Sequence, residues 1–353
     1  NTGVQVADVV VGFLHVEKKS AADVRALAAQ PRFDYHCWDL YARVTQFYEE
    51  DKTRETLRGE TLKAIEEGRG APAEIAETVA NAIVRCHLRT MERLGVQYDL
   101  LPRESEILHL KFWDAAFAQL KERGAIQFAS SGKNAGCWVM PLSEDADATA
   151  EDDTKIIVRS NGTVTYVGKD IAYQMWKFGL LKTDMKYRIH HVQPDGKVLW
   201  TTSPILGNEK RGQFAHADRV INVIGYEQTY LQQIVRLCLK LLGYDEQFGN
   251  SIHLSYKHVE IAGGRFSGRS GNWFGFHADA VVNRTVLQAY EQVSKNHPTL
   301  PELKKREISE IIGVGAVRYW LAKFKLDQTI VFDYDKVTDF NGETGPDMQS
   351  AAY

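Results

Sequence analysis

Apolar residues recur at helical spacing in three stretches of the first 124 residues. Asp34 to Glu50, Ala73 to Leu94 and Glu106 to Gly124 each carry aliphatic or aromatic side chains on one stripe, which predicts three amphipathic helices. Val4 to Phe13 is apolar with three consecutive valines, and its periodicity leaves a buried strand and a helical turn both open. The first part of the chain is therefore predicted to be rich in helices whose aromatic stripes face a core.

An acidic stretch, Glu144 to Asp153, separates this helical region from one in which strands and helices alternate. Lys155 to Arg159 and Thr163 to Val167 predict two paired strands, because the Asn161-Gly162 pair between them favours a tight hairpin turn. A helix from Asp170 to Phe178 is predicted to follow, with Asp170 at its start.

The following segments predict parallel strands. Arg219 to Ile224 is typical of a short buried strand, Gln228 to Leu242 of a helix and Ile252 to Val259 of a second strand. This order favours a parallel sheet with a right-handed crossover, and such sheets bind ligands at the carboxyl ends of their strands. The residues predicted at those ends are Tyr166, Asp170, Gln228 and the glycine-rich turn from Arg265 to Asn272.

Two other segments have simpler patterns. Lys182 to Gly212 predicts a hairpin turned at Pro194-Asp195-Gly196 and followed by a basic loop. Gly275 to Pro346 predicts a small helical unit, in which Ile311 to Phe324 forms an amphipathic helix.

Composition is that of an ordinary globular protein. The chain has 353 residues, 44% of them hydrophobic, which is enough to bury a large core in two packed units. Its net charge of −3 gives no global basic signal, so any RNA contact has to be a local patch. No apolar run reaches membrane-spanning length, no signal peptide is visible, and no membrane partner is expected.

Cysteine and histidine spacing indicates no metal site and no disulfide framework. Four cysteines lie far apart without a CxxC pair, which predicts buried thiols in a reducing compartment. They are Cys37, Cys86, Cys137 and Cys238.

The turn RFSGRSGN, Arg265 to Asn272, combines glycines with a serine and two arginines. Glycine backbones can approach a ligand closely, and successive N–H groups in such a turn bind anions. Ser267, Arg265 and Arg269 add a hydroxyl and two fixed positive charges, so the turn could clamp a polyphosphate. A surface turn with no ligand is the commoner interpretation of this composition.

Four segments in this order resemble the arginyl-tRNA synthetases, a family of class I aminoacyl-tRNA synthetases. They are RSNGTVTYVGKDIAYQMWKFG (159–179), DRVINVIGYEQTYLQQIVRLCLKLLGY (218–244), RFSGRSGN and DFNGETGPDMQSAAY (339–353). The resemblance runs from Asn1 to the last residue. The sequence contains neither the HIGH-type motif nor the anticodon-binding domain of the family, and its residue 1 is Asn. We therefore expect it to be an internal part of a longer enzyme.

The resemblance implies an α/β fold with the Rossmann-like parallel sheet of class I synthetases, incomplete and mostly its second half. Residues 1–153 would hold the remainder of the first half and a helical insertion, residues 154–274 the second half with the KMSKS-like loop, and residues 275–353 a helical linker unit.

Three residues match the positions with which the family selects arginine: Tyr166, Asp170 and Gln228. A guanidinium is a planar cation best matched by a carboxylate and neutral acceptors, which these side chains supply. Local sequence alone leaves other interpretations open, namely a helix N-cap for Asp170, cross-strand packing for Tyr166 and a cap of the next helix for Gln228.

The loop resembles the KMSKS element of class I synthetases in variant form. Arg265 stands at its first lysine and Gly268 at its second, which arginyl enzymes often lack. The resemblance implies that Arg265, Ser267, Gly268 and Arg269 bind ATP, with Arg265, Ser267 and Arg269 stabilising the charge on departing pyrophosphate. Gln174 departs from the family pattern, which has His there.

The implied function is arginine–tRNA ligation in the cytoplasm, with ATP, L-arginine and tRNA(Arg) as substrates and Mg²⁺ bound through ATP. A monomer is favoured, and the basic loop near 182–212 either touches the tRNA acceptor end or is a solvated insertion. One alternative is a catalytically impaired synthetase-like paralogue that binds amino acid or RNA. Another is a class I enzyme for a different amino acid, which Asp170 argues against because a neutral side chain would leave its carboxylate unpaired.

Overall fold

The computed structural model describes residues 3–105, 112–142, 154–182, 184–203, 214–261, 277–339 and 343–351. The chain forms two compact units, one from Asn1–Gln97 and His258–Tyr353 and the other from Tyr98–Lys257. The three-part division at residues 153 and 274 stays a prediction.

Helices and strands follow one another along both units. The helices are α1 (Val4–Val11), α2 (Ala21–Ala28), α3 (Phe33–Glu50), α4 (Thr56–Glu66), α5 (Gly70–Arg93), α6 (Phe112–Glu122), α7 (Tyr166–Lys177), α8 (Thr229–Leu241), α9 (Asp245–Asn250), α10 (Ala278–Asn296), α11 (Glu302–Ala322), α12 (Tyr334–Val337) and α13 (Gly345–Ala351). The strands are β1 (Leu100–Leu101), β2 (Gln127–Phe128), β3 (Trp138–Pro141), β4 (Thr154–Val158), β5 (Lys186–Val192), β6 (Val198–Ser203), β7 (Val220–Gly225), β8 (Ser251–Tyr256), β9 (Val259–Ile261) and β10 (Ile330–Phe332). A π-helical turn, Gly12–Val16, extends α1, and short 3₁₀ turns precede α4 and α8.

The apolar start of the chain is helical, which decides a choice that the sequence left open. Phe13 is fully buried and its ring stacks 6.0 Å from that of Phe33 on α3. A Cβ at Gly12 would lie 2.6 Å from Leu40 Cγ, so the glycine lets α1 approach α3 closely. The predicted helices 34–50 and 73–94 are confirmed as α3 and α5.

One buried charge in this unit is fully satisfied. Asp8 is only 3% exposed, and Arg58 donates to its two oxygens at 2.7 and 3.1 Å while the Tyr48 hydroxyl donates at 3.0 Å. A buried carboxylate requires such partners, because an unpaired one is costly to remove from water. This cluster therefore stabilises the packing of α1, α3 and α4.

The helical content predicted after residue 275 is confirmed by α10 to α13, whereas a separate unit there stays a prediction. The helix predicted for 311–324 is longer, since α11 begins at Glu302. A Cβ at Gly313 of α11 would lie 2.6 Å from the backbone Cα of Val286 on α10, so this glycine sets the distance between the two helices. Strand β9 pairs in parallel with β10 in the same unit.

The second unit holds three small sheets. Strands β7 and β8 pair in parallel from Val220–Ser251 to Gly225–Tyr256, and α8 lies between them in sequence, as predicted. Strands β5 and β6 form the predicted antiparallel hairpin, and β1 adds to β6 in parallel. Strands β2, β3 and β4 form an antiparallel sheet.

The predicted strand from Thr163 to Val167 is wrong. The turn itself is present, because Thr163 N donates to Asn161 Oδ1 at 3.0 Å, but only one bridge, between Val158 and Val164, follows it. Helix α7 begins at Tyr166, four residues before the predicted start, because Val167 turns into the core. Helical packing against α6 therefore outweighs the local strand preference of this β-branched stretch.

The predicted strand 252–259 is also wrong in extent, since β8 ends at Tyr256 and β9 begins at Val259 to pair with β10. The predicted helix 106–124 is confirmed over α6, while residues 106–111 lie outside the described residues. The acidic stretch 144–153 and the basic loop before residue 214 lie outside them as well.

All four cysteines are free and buried, as predicted. Burial raises the pKa of Cys37 and Cys86, and it raises the pKa of Cys238 to about 12. In the parts of the chain that the structure describes, no helix combines the length and apolar character needed to cross a bilayer.

Replacing Gly313 with Ala should lower the free energy of unfolding by about 1–3 kcal/mol, because the new methyl group meets the Val286 backbone. Gly59 of α4 is the matched control, since a Cβ there meets nothing within 4 Å. G59A should instead stabilise the chain by about 0.5–1 kcal/mol through helix propensity. Urea denaturation of the two variants measures both effects, and equal changes in the two would contradict the close approach of α10 and α11.

Candidate amino-acid-binding site on helix α7

Helix α7 presents a polar face built at helical spacing. Tyr166, Asp170, Gln174 and Lys177 recur every three or four residues, so their side chains lie on one side of the helix. Tyr166 is 61% exposed, and the Lys169 ammonium lies 5.8 Å from the centre of its ring. The face thus runs from an exposed aromatic ring at the helix start to a buried amide in its third turn.

A buried network of amides attaches this face to β7, β8 and α8. Asn222 Nδ2 donates to Gln174 Oε1 at 3.2 Å and to Gln232 Oε1 at 3.0 Å. Gln174 Nε2 donates to Ser251 Oγ at 3.0 Å, and Lys177 Nζ donates to Asn222 Oδ1 at 2.8 Å. Each amide in the network thus serves as donor or acceptor to a neighbouring element, which fixes the rotation of α7 about its axis.

The network also explains why glutamine suits position 174, where the family pattern has histidine. Its side chain is 2% exposed and uses one donor and one acceptor at once. An imidazole offers two ring nitrogens in a different geometry, so the neighbouring Asn222 and Ser251 suit the amide.

The contacts show that α7 runs antiparallel to β7. Ala217 N, just before β7, donates to Lys177 O at the end of α7, while Gln174 reaches Asn222 further along the strand. Four helical residues rise about 6 Å, nearly the length of two strand residues, about 6.6 Å. Asp170 is therefore level with the carboxyl end of β7, and Gln228 follows three residues after that end.

Asp170 is a partly buried carboxylate without a direct partner among the described residues. Among the described residues, its oxygens make no hydrogen bond and no ion pair. Burial, and secondarily the nearby carboxylate of Glu104, raise the pKa of Asp170 to about 6, although Lys177 and Lys169 lower it. A carboxylate kept in this state is suited to meet a cationic ligand.

Glu104 is a site residue to which the sequence assigned no function. It follows β1 by three residues, and its charge acts on Asp170 in the fold. The only sequence signal was its position in an acidic element after the Tyr98-Asp99 pair.

The pKa of Lys177 is also shifted by burial, in the direction that disfavours its charged form. Burial lowers the pKa of Lys177 to about 8, and Asp170 opposes this only partly. Loss of hydration thus outweighs mutual attraction for both groups. Lys177 is already engaged with Asn222, so it does not neutralise Asp170 through a direct ion pair.

The fold contradicts the structural interpretations of Asp170 and Tyr166 and agrees with that of Gln228 in position only. Asp170 lies in the second turn of α7 and is no N-cap, and Tyr166 is helical, so it packs across no strand. Gln228 occupies the N-cap position of α8, yet its side chain makes no capping hydrogen bond. Within the described residues, Gln228 makes no hydrogen bond to Tyr166 or Asp170.

A planar cation with several N–H donors suits this arrangement. The described residues supply the neighbouring carboxylates of Asp170 and Glu104 as acceptors for a guanidinium, and the exposed Tyr166 lies one helical turn before Asp170. The residues of the predicted loop, Arg265, Ser267, Gly268 and Arg269, lie outside the described residues. Over the described part of the chain, no three His, Cys, Asp or Glu side chains cluster as metal ligands would.

Comparisons of sequence relate the chain to proteins of known activity. The profile of the family described as "tRNA synthetases class I (R), catalytic domain" matches residues 187–334, which include Gln228 but not Tyr166 or Asp170. The arginine–tRNA ligase of Thermococcus sibiricus is 37% identical over 99% of this chain and 54% of its own length. That of Thermococcus kodakarensis is 38% identical over the same shares. The chain therefore spans about half the length of the curated relatives it matches.

Solved structures of arginyl-tRNA synthetases also match the chain. Thermus thermophilus arginyl-tRNA synthetase matches with a TM-score of 0.82 and 29% identity, covering 99% of this chain and 55% of that one. Arginyl-tRNA synthetase from Plasmodium falciparum matches with a TM-score of 0.62 at 12% identity, over 98% of this chain and 47% of that one, and so shares the fold.

Replacing Asp170 with Asn should stabilise the chain near neutral pH. The folded-state pKa of Asp170 lies above its unfolded value, so the carboxyl group favours folding below about pH 4 and this contribution is lost as pH rises through about 6. At pH 7 the ionised carboxylate of Asp170 lowers the free energy of unfolding, and the neutral amide of D170N does not. We expect the difference to be on the order of 2 kcal/mol. Urea denaturation at pH 7 and pH 4 measures the difference. D114N, on the exposed face of α6, is the control, and a similar gain in both variants would show that burial of Asp170 is not the cause.

Proposed function

The chain belongs to the arginyl-tRNA synthetase family, and on that premise we propose that it binds L-arginine for an arginine–tRNA ligase that uses ATP and tRNA(Arg). The resemblance drawn from the sequence is confirmed, and so is its α/β class I fold. The single observation that carries the proposal is the unpaired, largely buried carboxylate of Asp170, with Glu104 close to it.

Arginine recognition follows from charge and shape. The guanidinium supplies the positive charge that Asp170 lacks, and its planar set of N–H donors suits the carboxylate, the Tyr166 hydroxyl and the Gln228 amide oxygen. A neutral amino acid would leave Asp170 desolvated without a counter-charge, and lysine would supply a point charge in place of a fork. These differences make the site selective for arginine over both.

The proposed chemistry has two steps. A carboxylate oxygen of arginine attacks the α-phosphorus of ATP, and the bond to the β-phosphate oxygen breaks to release pyrophosphate. A hydroxyl of the 3′-terminal adenosine of tRNA(Arg) then attacks the arginyl carbonyl, and AMP leaves with the bonding electrons. Neither step needs a covalent intermediate on the protein, so positioning and electrostatics carry the catalysis.

The KMSKS-like loop is proposed to act in the first step. Ser267 and Arg269 would contact the ATP phosphates, with Arg265 and Gly268 beside them, and the arginines would stabilise charge on departing pyrophosphate. Mg²⁺ would arrive bound to ATP and need few protein ligands. The buried free thiols fit a reducing compartment, and we propose the cytoplasm and a monomeric enzyme.

A second candidate is a synthetase-like paralogue that binds arginine or RNA without catalysis. Its support is the loop, where Arg265 and Gly268 replace both lysines of the family pattern. Arginine-dependent exchange of pyrophosphate into ATP by the full-length enzyme, with tRNA(Arg) present, separates the two, because this chain is expected to be a partial catalytic region that is inactive alone. Arginine binding without exchange would favour the paralogue.

Asp170→Asn should lower kcat/KM for arginine by about 100-fold or more in pyrophosphate exchange by the full-length enzyme, because the guanidinium is left without its counter-charge, a loss worth about 3–5 kcal/mol when buried. The wild-type kcat/KM should fall below about pH 6, where Asp170 takes up a proton in the free enzyme and the guanidinium loses its counter-charge. D170N should lack this acidic limb. D114N should match the wild type, and an acidic limb retained in D170N would exclude Asp170 as its source.

Arg269→Ala should instead lower kcat for exchange by about 10²–10³-fold, because it removes a positive charge from the transition state. The KM for arginine should change little, since the residue is proposed to contact phosphates. R269K, which retains the charge, should recover part of the rate. An effect confined to KM would contradict the assignment to the departing pyrophosphate.

A further inference from the structure

The unit formed by Asn1–Gln97 and His258–Tyr353 contains a cavity of about 270 Å³ that the arginine site does not use. It lies where the start of α3, the last turns of α5 and the start of α10 meet. The side chains that matter most for its chemistry are Arg32, Tyr35, Arg89, Arg93, Asp279 and Asn283. The volume lies near the lower end of the roughly 300–1,000 Å³ typical of ligand pockets, which suits one nucleotide-sized group.

One wall of this cavity is held rigidly. Arg93 donates to both oxygens of Glu310, at 2.6 and 3.1 Å, and its third nitrogen donates to Asn283 Oδ1 at 2.6 Å. Asp279 accepts hydrogen bonds from the Tyr35 hydroxyl at 3.3 Å and from Thr90 Oγ1 at 2.9 Å. These contacts tie α3, α5, α10 and α11 together around the cavity before any ligand binds.

Two further arginines at the cavity carry unneutralised charge. Arg32 and Arg89 are exposed, and no carboxylate of the described residues pairs with either one. Arg85 lies one turn before Arg89 on α5 and is likewise exposed without an ion pair in that part of the chain. Arg85, Arg89 and Arg93 thus form a stripe in which successive residues rise about 6 Å along the helix.

The backbone at Arg32 is unusual for a charged residue. It takes the left-handed conformation, with φ of 60°, directly before α3 begins. Glycine adopts this conformation at no cost, whereas an arginine does not. Arg32 therefore brings a guanidinium to the cavity from a backbone conformation that glycine would adopt at lower cost.

We propose that this cavity binds the phosphodiester backbone of an RNA, taking one nucleotide with its phosphate between Arg32 and Arg89. The proposal rests on the proposed function in naming tRNA as that RNA. Guanidinium groups donate in pairs to phosphate oxygens. The carboxylates of Asp34 and Asp279, which also line the cavity, accept from ribose hydroxyls or base amino groups.

The mixed charge of the cavity favours a nucleotide over an acidic peptide. Asp34 and Asp279 can accept from the hydroxyl and amino donors that a nucleotide brings along with its phosphate and that an acidic side chain lacks. The chain as a whole has a net charge of −3, so RNA affinity must come from a local group of cations. The arginines on α5 and at the start of α3 are such a group.

The double variant R32G/R89A tests this assignment on the whole chain. Binding of fluorescent tRNA(Arg) is measured over a range of salt concentrations without arginine or ATP. We expect affinity to fall about 10-fold or more at 0.1 M salt, and the slope of log K against log salt to fall in magnitude by about 0.7–0.9, because one neutralised phosphate is lost. Glycine tolerates the backbone of residue 32, so the variant should melt at no lower temperature than the wild type.

The control K63A/K295A removes two exposed lysines of the same unit, on α4 and α10, that lie away from the cavity. It should retain the wild-type slope, and R32K/R89K should recover most of the slope of the wild type. An unchanged slope in R32G/R89A, or an equal loss in the control, would overturn the proposal. Saturable AMP binding that is lost in R32G/R89A while the RNA slope stays unchanged would make the cavity a free-nucleotide site and overturn the RNA assignment. Because the assay contains no arginine or ATP, its outcome is independent of whether the ligase reaction occurs.

Discussion

The side-chain amide of Asn222 is the contact on which the candidate arginine site depends. It joins α7 to β7 and α8 in a region from which water is excluded, so an unmade hydrogen bond there would cost about 1–3 kcal/mol. Gln174, Gln232 and Lys177 each fill one of its positions. Few rotations of α7 satisfy all of these bonds at once. The one adopted turns Asp170 toward the carboxyl end of β7, where Gln228 follows.

The same arrangement keeps a carboxylate at a cost to stability. A protein that only needed a stable helix would place an apolar or exposed residue at position 170, because burial without a partner opposes ionisation. Lys177 is close enough to lower the pKa of Asp170 but is bonded to Asn222 instead. No described residue supplies a paired positive charge for Asp170, and we propose that a cationic ligand does so. A buried carboxylate without a counter-charge is typical of binding sites, where the free energy of ligand binding offsets the stability that the free protein loses.

Charge is also distributed unevenly in the other compact unit. Asp8 and Arg58 neutralise each other in its core, and that cluster explains only packing. Arg32 and Arg89 have no such partner in the described residues, although the chain as a whole is slightly acidic. Their cavity also contains the carboxylates of Asp34 and Asp279, so its charges are mixed. We propose a cation as the ligand of one unit and a phosphate-bearing nucleotide as the ligand of the other.

The sequence by itself determined the helices with a regular apolar stripe, the hairpin turned near Asp195, the parallel pair β7–β8 and the burial of all four thiols. These features depend on local periodicity and turn chemistry, which a linear pattern contains. Only the tertiary structure decided that Val4 to Val11 is a helix and that α7 begins at Tyr166. It also brought the charge of Glu104 near Asp170 and placed Arg89 and Arg93 of α5 at a cavity. In each case the deciding partners lie far away in sequence, as Trp113 does from Gly168, whose Cβ would sit 3.0 Å from that ring. Packing and charge act across space, and their strength depends on burial that no short stretch of sequence reveals.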